Sequence, residues 1–243
     1  MKAVILAAGK GTRLGSLTRN IPKAMVDIAG KPAIEHIISY ILHCGIKDFI
    51  IVTRYLADKL ESYLGSGKRL SINISYARQG EKYGTGAALY TAKELVGNEP
   101  FMMTFADIIT GAHNYDSVFK LFSQKGGAGV VTCNWVDDPF SGASVIIDDE
   151  KDKITKIIEK PPKGNVISHW NSSGLFVFEP IIFDYLAQIQ VSERGEYELV
   201  DALNMMIEEN LDLYPCYLKG AWRDIGRVED ISAAERIVLR KDF

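Results

Sequence analysis

Apolar runs and amphipathic stretches alternate along the first half of the chain. Residues 2–8 form a nearly continuous apolar run, the pattern of a strand buried on both faces. Over 32–44 the spacing changes: Ile34, Ile37, Ile38, Ile41 and Leu42 recur at i, i+3, i+4, i+7 and i+8, which predicts a helix with one buried face. Pro32 stands at its start and Gly45 just past its end. The same reading predicts strands at 49–53, 70–76, 101–106 and 129–134, and helices at 55–64, 85–96 and 115–124. Such alternation is the signature of parallel βαβ units. After Trp135 short strand-like runs follow at 144–147, 154–158 and 175–178, which read as an antiparallel insertion or sheet extension. Residues 148–153 are a solvated turn between them. Helices at 180–189 and 198–209, a strand at 213–218 and a helix at 229–240 complete the chain. No repeat, low-complexity segment or long linker divides it, so one domain with two lobes is expected.

Composition narrows the function. The 243 residues are 47% hydrophobic, enough for a core that needs no staples. Twenty-eight basic against 31 acidic residues give a net charge of −3, which excludes a general nucleic-acid binder. Cys44, Cys133 and Cys216 are sparse and odd in number, arguing for a reducing compartment and no disulfide framework. His36, His43, His113 and His169 show no metal-ligand spacing. No run reaches the roughly 18–20 apolar residues of a membrane span. A strand pattern begins within two residues of Met1, so no leader is expected and the protein reads as cytoplasmic.

The stretch after the first strand carries the candidate chemistry. Leu6-Ala7-Ala8-Gly9-Lys10-Gly11-Thr12-Arg13-Leu14 places two glycines and two cations at the carboxyl end of a buried strand, with Lys23 nearby. Gly9 and Gly11 permit close backbone approach, and loop N–H groups there can receive phosphate oxygens. The P-loop spacing is absent, and Leu14 occupies the third-glycine position of the dinucleotide fingerprint. In open α/β sheets ligands bind outside the carboxyl ends of the strands, which puts this loop and Asp107 on one edge.

The loop, followed by Leu17-Thr18, Pro22-Lys23-Ala24-Met25 and Gly30-Lys31-Pro32, resembles the N-terminal signature of the sugar-1-phosphate nucleotidylyltransferases, also called nucleotide-diphosphate-sugar pyrophosphorylases. The resemblance spans about thirty residues, and further matches recur in family order to about residue 230. It implies a three-layer, Rossmann-like α/β/α fold with a mixed, mostly parallel central sheet and a small antiparallel sugar-side lobe. Residues 1–243 are then one domain, with 1–135 mainly nucleotide-binding and 136–243 mainly sugar-phosphate-binding.

The resemblance also implies roles. Leu6, Ala8, Gly9, Gly11 and Thr12 would hold the nucleotide, and Arg13 and Lys23 would be the catalytic cations. Gln79, five residues before Gly84, resembles the glutamine of members that use uracil or thymine; Gly84 and Thr85 would adjoin the base. Asp107 and Asp224, the latter in Trp222-Arg223-Asp224-Ile225-Gly226, are the expected Mg²⁺ ligands; Ala106 stands where the family usually has glycine. On the sugar side the matches are Gly142, the Glu159-Lys160-Pro161 segment, and Asn171-Ser172-Ser173-Gly174. That last segment carries one residue more than the family pattern, so either Asn171 or Ser172 takes the asparagine role. Gly195-Glu196-Tyr197-Glu198-Leu199 resembles a helix-start segment and is assigned a structural role.

The function implied is transfer of a nucleotidyl group from a nucleoside triphosphate, UTP or dTTP favoured, to a sugar 1-phosphate, with in-line loss of pyrophosphate assisted by Mg²⁺. One alternative is a CTP-dependent enzyme acting on inositol phosphate or another phosphorylated alcohol. Another is a non-catalytic subunit that senses nucleotide sugars, which should have lost some of Arg13, Lys23, Asp107 and Asp224. A glycosyltransferase of related fold should carry Asp-x-Asp where this chain has Phe105-Ala106-Asp107. No β-helix acyltransferase domain is expected after the last helix. Neither nucleic acid nor membrane is an expected partner, and a homo-oligomer stays open.

Overall fold

The computed structural model of the chain describes residues 1–164 and 166–240. Strand β1 (Lys2–Ala7) runs into 3₁₀ turns over Thr12–Thr18 and Lys23–Met25. A minimal ribbon, β2 (Asp27–Ile28) against β3 (Lys31–Pro32), leads to α1 (Ala33–His43). Then come β4 (Asp48–Thr53), α2 (Ala57–Leu64), β5 (Asn73–Arg78), α3 (Thr85–Tyr90), α4 (Lys93–Val96) and β6 (Phe101–Phe105). β7 (Ile108–Thr110), α5 (Ala112–Lys125) and β8 (Gly129–Trp135) follow. The hairpin β9 (Ala143–Asp148) and β10 (Lys153–Glu159) precedes the long β11 (Trp170–Phe178). The chain closes with α6 (Ile182–Leu186), α7 (Leu199–Glu208), β12 (Leu213–Tyr217), β13 (Trp222–Asp224) and α8 (Val228–Arg240).

β1, β4, β5 and β6 pair in parallel, with β1 at the centre between β4 and β6. β11 inserts antiparallel between β6 and β8, and β12 continues parallel to β8. The sheet is therefore mixed and mostly parallel, as the resemblance implies. The amino end of β11 departs from β6 and meets β9 at Asn171↔Ser144, and β9 pairs with β10. That hairpin is the small antiparallel lobe.

The alternation along β1 explains the three layers. Ala3, Ile5 and Ala7 face one core with Ile34, Ile37, Ile38 and Ile41 of α1 and Tyr115 and Val118 of α5. Val4 and Leu6 face a second core with Leu89 of α3, Phe183 of α6 and Leu203 of α7. Each fully buried isoleucine stabilises the fold by roughly 1.5–3 kcal/mol, so the stripe on α1 alone fixes that helix to the sheet.

Several boundaries differ from the sequence expectation for identifiable reasons. The helix expected over 85–96 divides into α3 and α4, where Thr91 Oγ1 donates back to Ala87 O at 2.9 Å and Ala92 N turns to Leu89 O. The strand expected at 70–76 begins at Asn73, because residues 68–70 form a 3₁₀ turn and Ser71 takes a left-handed φ of 58°. The helix expected over 180–189 is confined to 182–186. β11 begins five residues before the run expected at 175–178; the polar Asn171-Ser172-Ser173 segment concealed it. All three cysteines are free, and among the described residues no helix is long and apolar enough to cross a membrane.

Candidate active site

The strand order around β1 creates the site. Connections leave β1 toward β4 on one side, while β6 lies on the other, so the loops after β1 and β6 diverge and leave a crevice between them. A cavity of about 940 Å³ opens there and extends to the β9–β10 lobe. It falls within the roughly 300–1,000 Å³ typical of ligand sites. Along it the sheet places Gln79 after β5, the Gly9 loop after β1, Asp107 after β6 and Glu159 at the end of β10.

The centre is a three-residue charge cluster. Lys23 is anchored by its 3₁₀ turn, in which Met25 N donates to Pro22 O at 2.8 Å and Ala24 is buried. Its Nζ bonds Asp107 Oδ2 and lies 3.4 Å from Asp224 Oδ1. The two acids, 117 positions apart in sequence (224 − 107), are joined by backbone: β13 pairs antiparallel with β7, setting Asp224 against Ile108, and Ile225 N donates to Asp107 O at 2.9 Å. Burial and the charge of Asp107 push the Asp224 carboxyl up to about 6. Burial works against the Lys23 ammonium, but Asp107 and Asp224 outweigh it and raise its pKa above the usual lysine range. The pair of carboxylates thus shares the one positive charge of Lys23.

The loop after β1 divides its tasks. Leu6, Ala8, Gly9 and Arg13 line the cavity; Gly11 and Thr12 do not. Gly11 instead takes φ 65° and accepts from Leu14 N at 3.0 Å and Thr18 Oγ1 at 2.8 Å. A Cβ there would press on the Lys23 side chain at 3.1 Å, so Gly11 lets the loop close onto that lysine. Thr12 is exposed on the turn that follows. At Gly9 an added Cβ would meet nothing within 4 Å, which leaves its backbone open toward the cavity.

Gln79 is held in one orientation. It is only 7% exposed, and its Nε2 donates to Lys82 O at 3.0 Å and Gly84 O at 3.2 Å. Two carbonyls fix the amide nitrogen, so Oε1 is the group left for a ligand. Gly84 has φ 128°, and a Cβ on it would overlap the Tyr197 backbone. That close approach carries two hydrogen bonds, Tyr197 N to Tyr83 O at 2.8 Å and Gly86 N to Tyr197 O at 2.9 Å. Thr85 lines the cavity, but its Oγ1 accepts from Leu199 N at 3.0 Å and so serves the start of α7.

On the far side, Gly142, Glu159, Lys160, Asn171 and Ser172 all line the cavity. Lys160 takes a left-handed φ of 45° ahead of Pro161, and its N donates to Gly142 O at 2.9 Å. Strain of this kind costs about 1–3 kcal/mol and persists only where surrounding contacts enforce it. Asn171 is buried; its Nδ2 donates to Pro139 O at 3.4 Å, while Oδ1 has no partner among the described residues. The extra residue of this segment forms an irregularity between Ser172 and Phe176, fastened by Trp222 Nε1 to Ser173 O at 2.9 Å and Thr104 Oγ1 to Gly174 O at 3.0 Å.

The sequence reading missed Arg194. It lines the cavity, with Nη1 2.9 Å from Glu159 Oε1 and 3.1 Å from Glu198 Oε1. Burial raises the pKa of Glu198, which also lines the cavity. The segment assigned a structural role therefore also supplies Glu196 and Glu198 to the cavity lining.

An α/β sheet with a polar crevice at its switch point, cations beside the first loop and paired aspartates opposite them, defines a phosphate-handling class of protein. Its chain matches the nucleotidyl transferase family over residues 2–241, and it belongs to that family. The bifunctional protein GlmU of Methanocaldococcus jannaschii is 36% identical over 99% of this chain and 55% of that protein. The UTP–glucose-1-phosphate uridylyltransferase AglF of Haloferax volcanii is 34% identical over 97% of this chain and 96% of that protein. A crystal structure of UDP-glucose pyrophosphorylase complexed with UDP-glucose matches with a TM-score of 0.86 and 26% identity, covering 99% of this chain and 98% of that one. The chain spans between 55% and 66% of the length of the first four curated relatives it matches.

Proposed function

We propose that this protein transfers a nucleotidyl group from UTP or dTTP to a sugar 1-phosphate, releasing pyrophosphate. The observation that carries this reading is the single cavity in which Gln79, the Lys23–Asp107–Asp224 cluster and the Glu159–Lys160 pair face one another in the order the strands impose. The shares of AglF and UDP-glucose pyrophosphorylase matched by the chain support it.

In this reading the attacking oxygen belongs to the sugar phosphate, and the protein supplies no covalent nucleophile. The barrier lies in joining two anions and in charge gathering on the departing pyrophosphate, so fixed cations and positioning do the work. Lys23 and Arg13 offset the phosphate charge, and the open backbone of Gly9 lets the triphosphate approach. Lys160 holds the sugar phosphate. Glu159 accepts from sugar hydroxyls, which requires Arg194 to share it. Asn171 and Ser172 both line the sugar side of the cavity.

The residues present fit a magnesium ion. Asp107 and Asp224 are hard oxygen donors drawn together around one positive charge, and two carboxylates suit an ion that keeps its remaining positions for water and phosphate. Bound there, it would supply neutralisation of the triphosphate.

Base choice follows from Gln79. Its Oε1, left unbonded when Nε2 donates to Lys82 O and Gly84 O, is an acceptor, matched by the N3–H of uracil or thymine and opposed by the N3 lone pair of cytosine. This favours UTP or dTTP over CTP. Pyrophosphate release measured with each triphosphate and a panel of phosphorylated acceptors tests the proposal; release with CTP alone would replace it by the cytidylyltransferase alternative.

A further inference from the structure

Charge is spread unevenly along the cavity. Six cationic and six acidic residues line it. On the sugar side Glu159, Glu196 and Glu198 outnumber Lys160 and Arg194, and at the centre Asp107 and Asp224 outnumber Lys23. The positive excess is confined to one corner, where Arg13, Arg223 and Arg227 meet the carboxylate of Asp230. Arg223 precedes Asp224 and Arg227 follows Gly226, and the family resemblance gives neither a role.

One turn gathers this corner. Asp230 Oδ2 accepts from Gly226 N at 3.1 Å and from Arg227 N at 2.7 Å, and Gly226 N also donates to Asp224 O at 2.9 Å. Asp230 is thereby committed to the backbone, and its Oδ1 stands 3.8 Å from Arg223 Nη1. Asp107 and Asp224 are committed to Lys23. Arg13 lies across the same turn. A Cβ built on Gly226 would be 3.4, 3.5 and 3.6 Å from Arg13 Nη2, Cζ and Nη1. Such near-equal distances set the face of the guanidinium, not its edge, against the glycine. The N–H edge is left for an anion, as a fork that suits phosphate oxygens.

The corner also lies where a leaving group must go. Glu159 and Lys160 stand at the end of β10 and Arg13 follows β1, with Asp107, after β6, between them in the strand order. In an in-line displacement the attacking and leaving oxygens sit on opposite sides of the phosphorus. A sugar phosphate held by Lys160 therefore drives the leaving group toward Arg13.

We propose that Arg223 and Arg227 complete, with Arg13, a seat for the departing pyrophosphate. The sugar-phosphate oxygen bonds to the α-phosphorus as the bond from that phosphorus to the α,β-bridging oxygen breaks. The bridging oxygen keeps the electron pair, and its charge falls among three guanidiniums. This seat rests on the nucleotidyl-transfer reading, so binding is measured apart from turnover. Calorimetry on the full chain with inorganic pyrophosphate and Mg²⁺ gives the first reading, and UMP, which carries no leaving group, gives the control. Arg223→Gln and Arg227→Gln, both at exposed positions, should each weaken pyrophosphate by roughly tenfold, the size of one charge-assisted bond, and leave UMP unchanged. Arg223→Lys and Arg227→Lys should recover part of the loss, since an ammonium keeps the charge without the fork. In turnover the glutamine variants should lower kcat with the KM for sugar 1-phosphate unaltered. Wild-type pyrophosphate affinity in both glutamine variants of a protein that does transfer nucleotides overturns the proposal and leaves the reaction standing. Equal losses of pyrophosphate and UMP overturn it as well. Selective loss of pyrophosphate in a protein that turns over no triphosphate upholds the anion seat and removes the reaction.

Discussion

Replacing Gln79 by alanine isolates the proposed base-reading step. In the wild-type protein the amide nitrogen is committed to Lys82 O and Gly84 O, so Oε1 is the atom left to accept from a base in the proposed reading. Removing it leaves the N3–H of a bound uracil without its acceptor in a position where Gln79 itself is 7% exposed. An unpaired buried donor costs about 1–3 kcal/mol. With tenfold per 1.4 kcal/mol, kcat/KM for UTP should fall roughly 5- to 150-fold. CTP should respond in the opposite sense or hardly at all, because the variant removes an acceptor that faces the cytosine N3 lone pair. The readable quantity is therefore the UTP:CTP ratio of kcat/KM, taken from pyrophosphate release at a fixed sugar 1-phosphate concentration. It should fall at least fivefold. Equal losses with both triphosphates would remove the base-reading role, since the variant would then act only through loosening of the 79–84 loop.

Gly84→Ala forces a side chain onto a φ of 128° and against the Tyr197 backbone; strain and overpacking together predict a loss of roughly 2–5 kcal/mol in urea denaturation. Gly9→Ala should leave stability within about 0.5 kcal/mol, as its Cβ meets nothing, yet lower turnover by crowding the phosphate approach. The Asp224 carboxyl, pushed up to about 6, must lose its proton before it can ligate a cation. Mg²⁺ affinity should accordingly be flat above pH 7 and fall toward about tenfold per pH unit well below 6, and calorimetry near pH 6 should record proton release on binding that vanishes at pH 8. Lys23→Met leaves two carboxylates facing each other and removes a cation from the phosphates; kcat should drop by about 10²–10³, while an unchanged kcat would remove Lys23 from the chemistry.

Strong periodicity makes much of the fold legible in the sequence. α1 shows four isoleucines on one face, and the helix runs from Ala33 to His43 against an expectation of 32–44. β1 reads from its continuous apolar run because both of its faces are buried. The errors fall where local signals are weak. β7 and β13 have three residues each and no alternation to detect, yet their pairing brings Asp107 beside Asp224. Sequence separation hides such a contact, and only the resemblance linked the two acids. The amino end of β11 is polar because Asn171, Ser172 and Ser173 line the polar cavity, and the buried Asn171 and Ser173 find hydrogen-bond partners there. Gly11 and Thr12 belong to the signature but not to the cavity lining, since a motif also retains residues that shape the loop. Arg194 lies in a polar stretch between α6 and α7, where charge carries no periodic information about position.

The central claim is nucleotidyl transfer at the Lys23–Asp107–Asp224 cluster. The direct test measures pyrophosphate release in the presence of Mg²⁺ across UTP, dTTP, CTP, ATP and GTP, each with a panel of sugar 1-phosphates, for the wild-type chain and for Asp107→Ala and Asp224→Ala. Release is expected with UTP or dTTP and at least one sugar 1-phosphate, with loss of that release in both variants. No release with any pair, or near wild-type release in either variant, would contradict it.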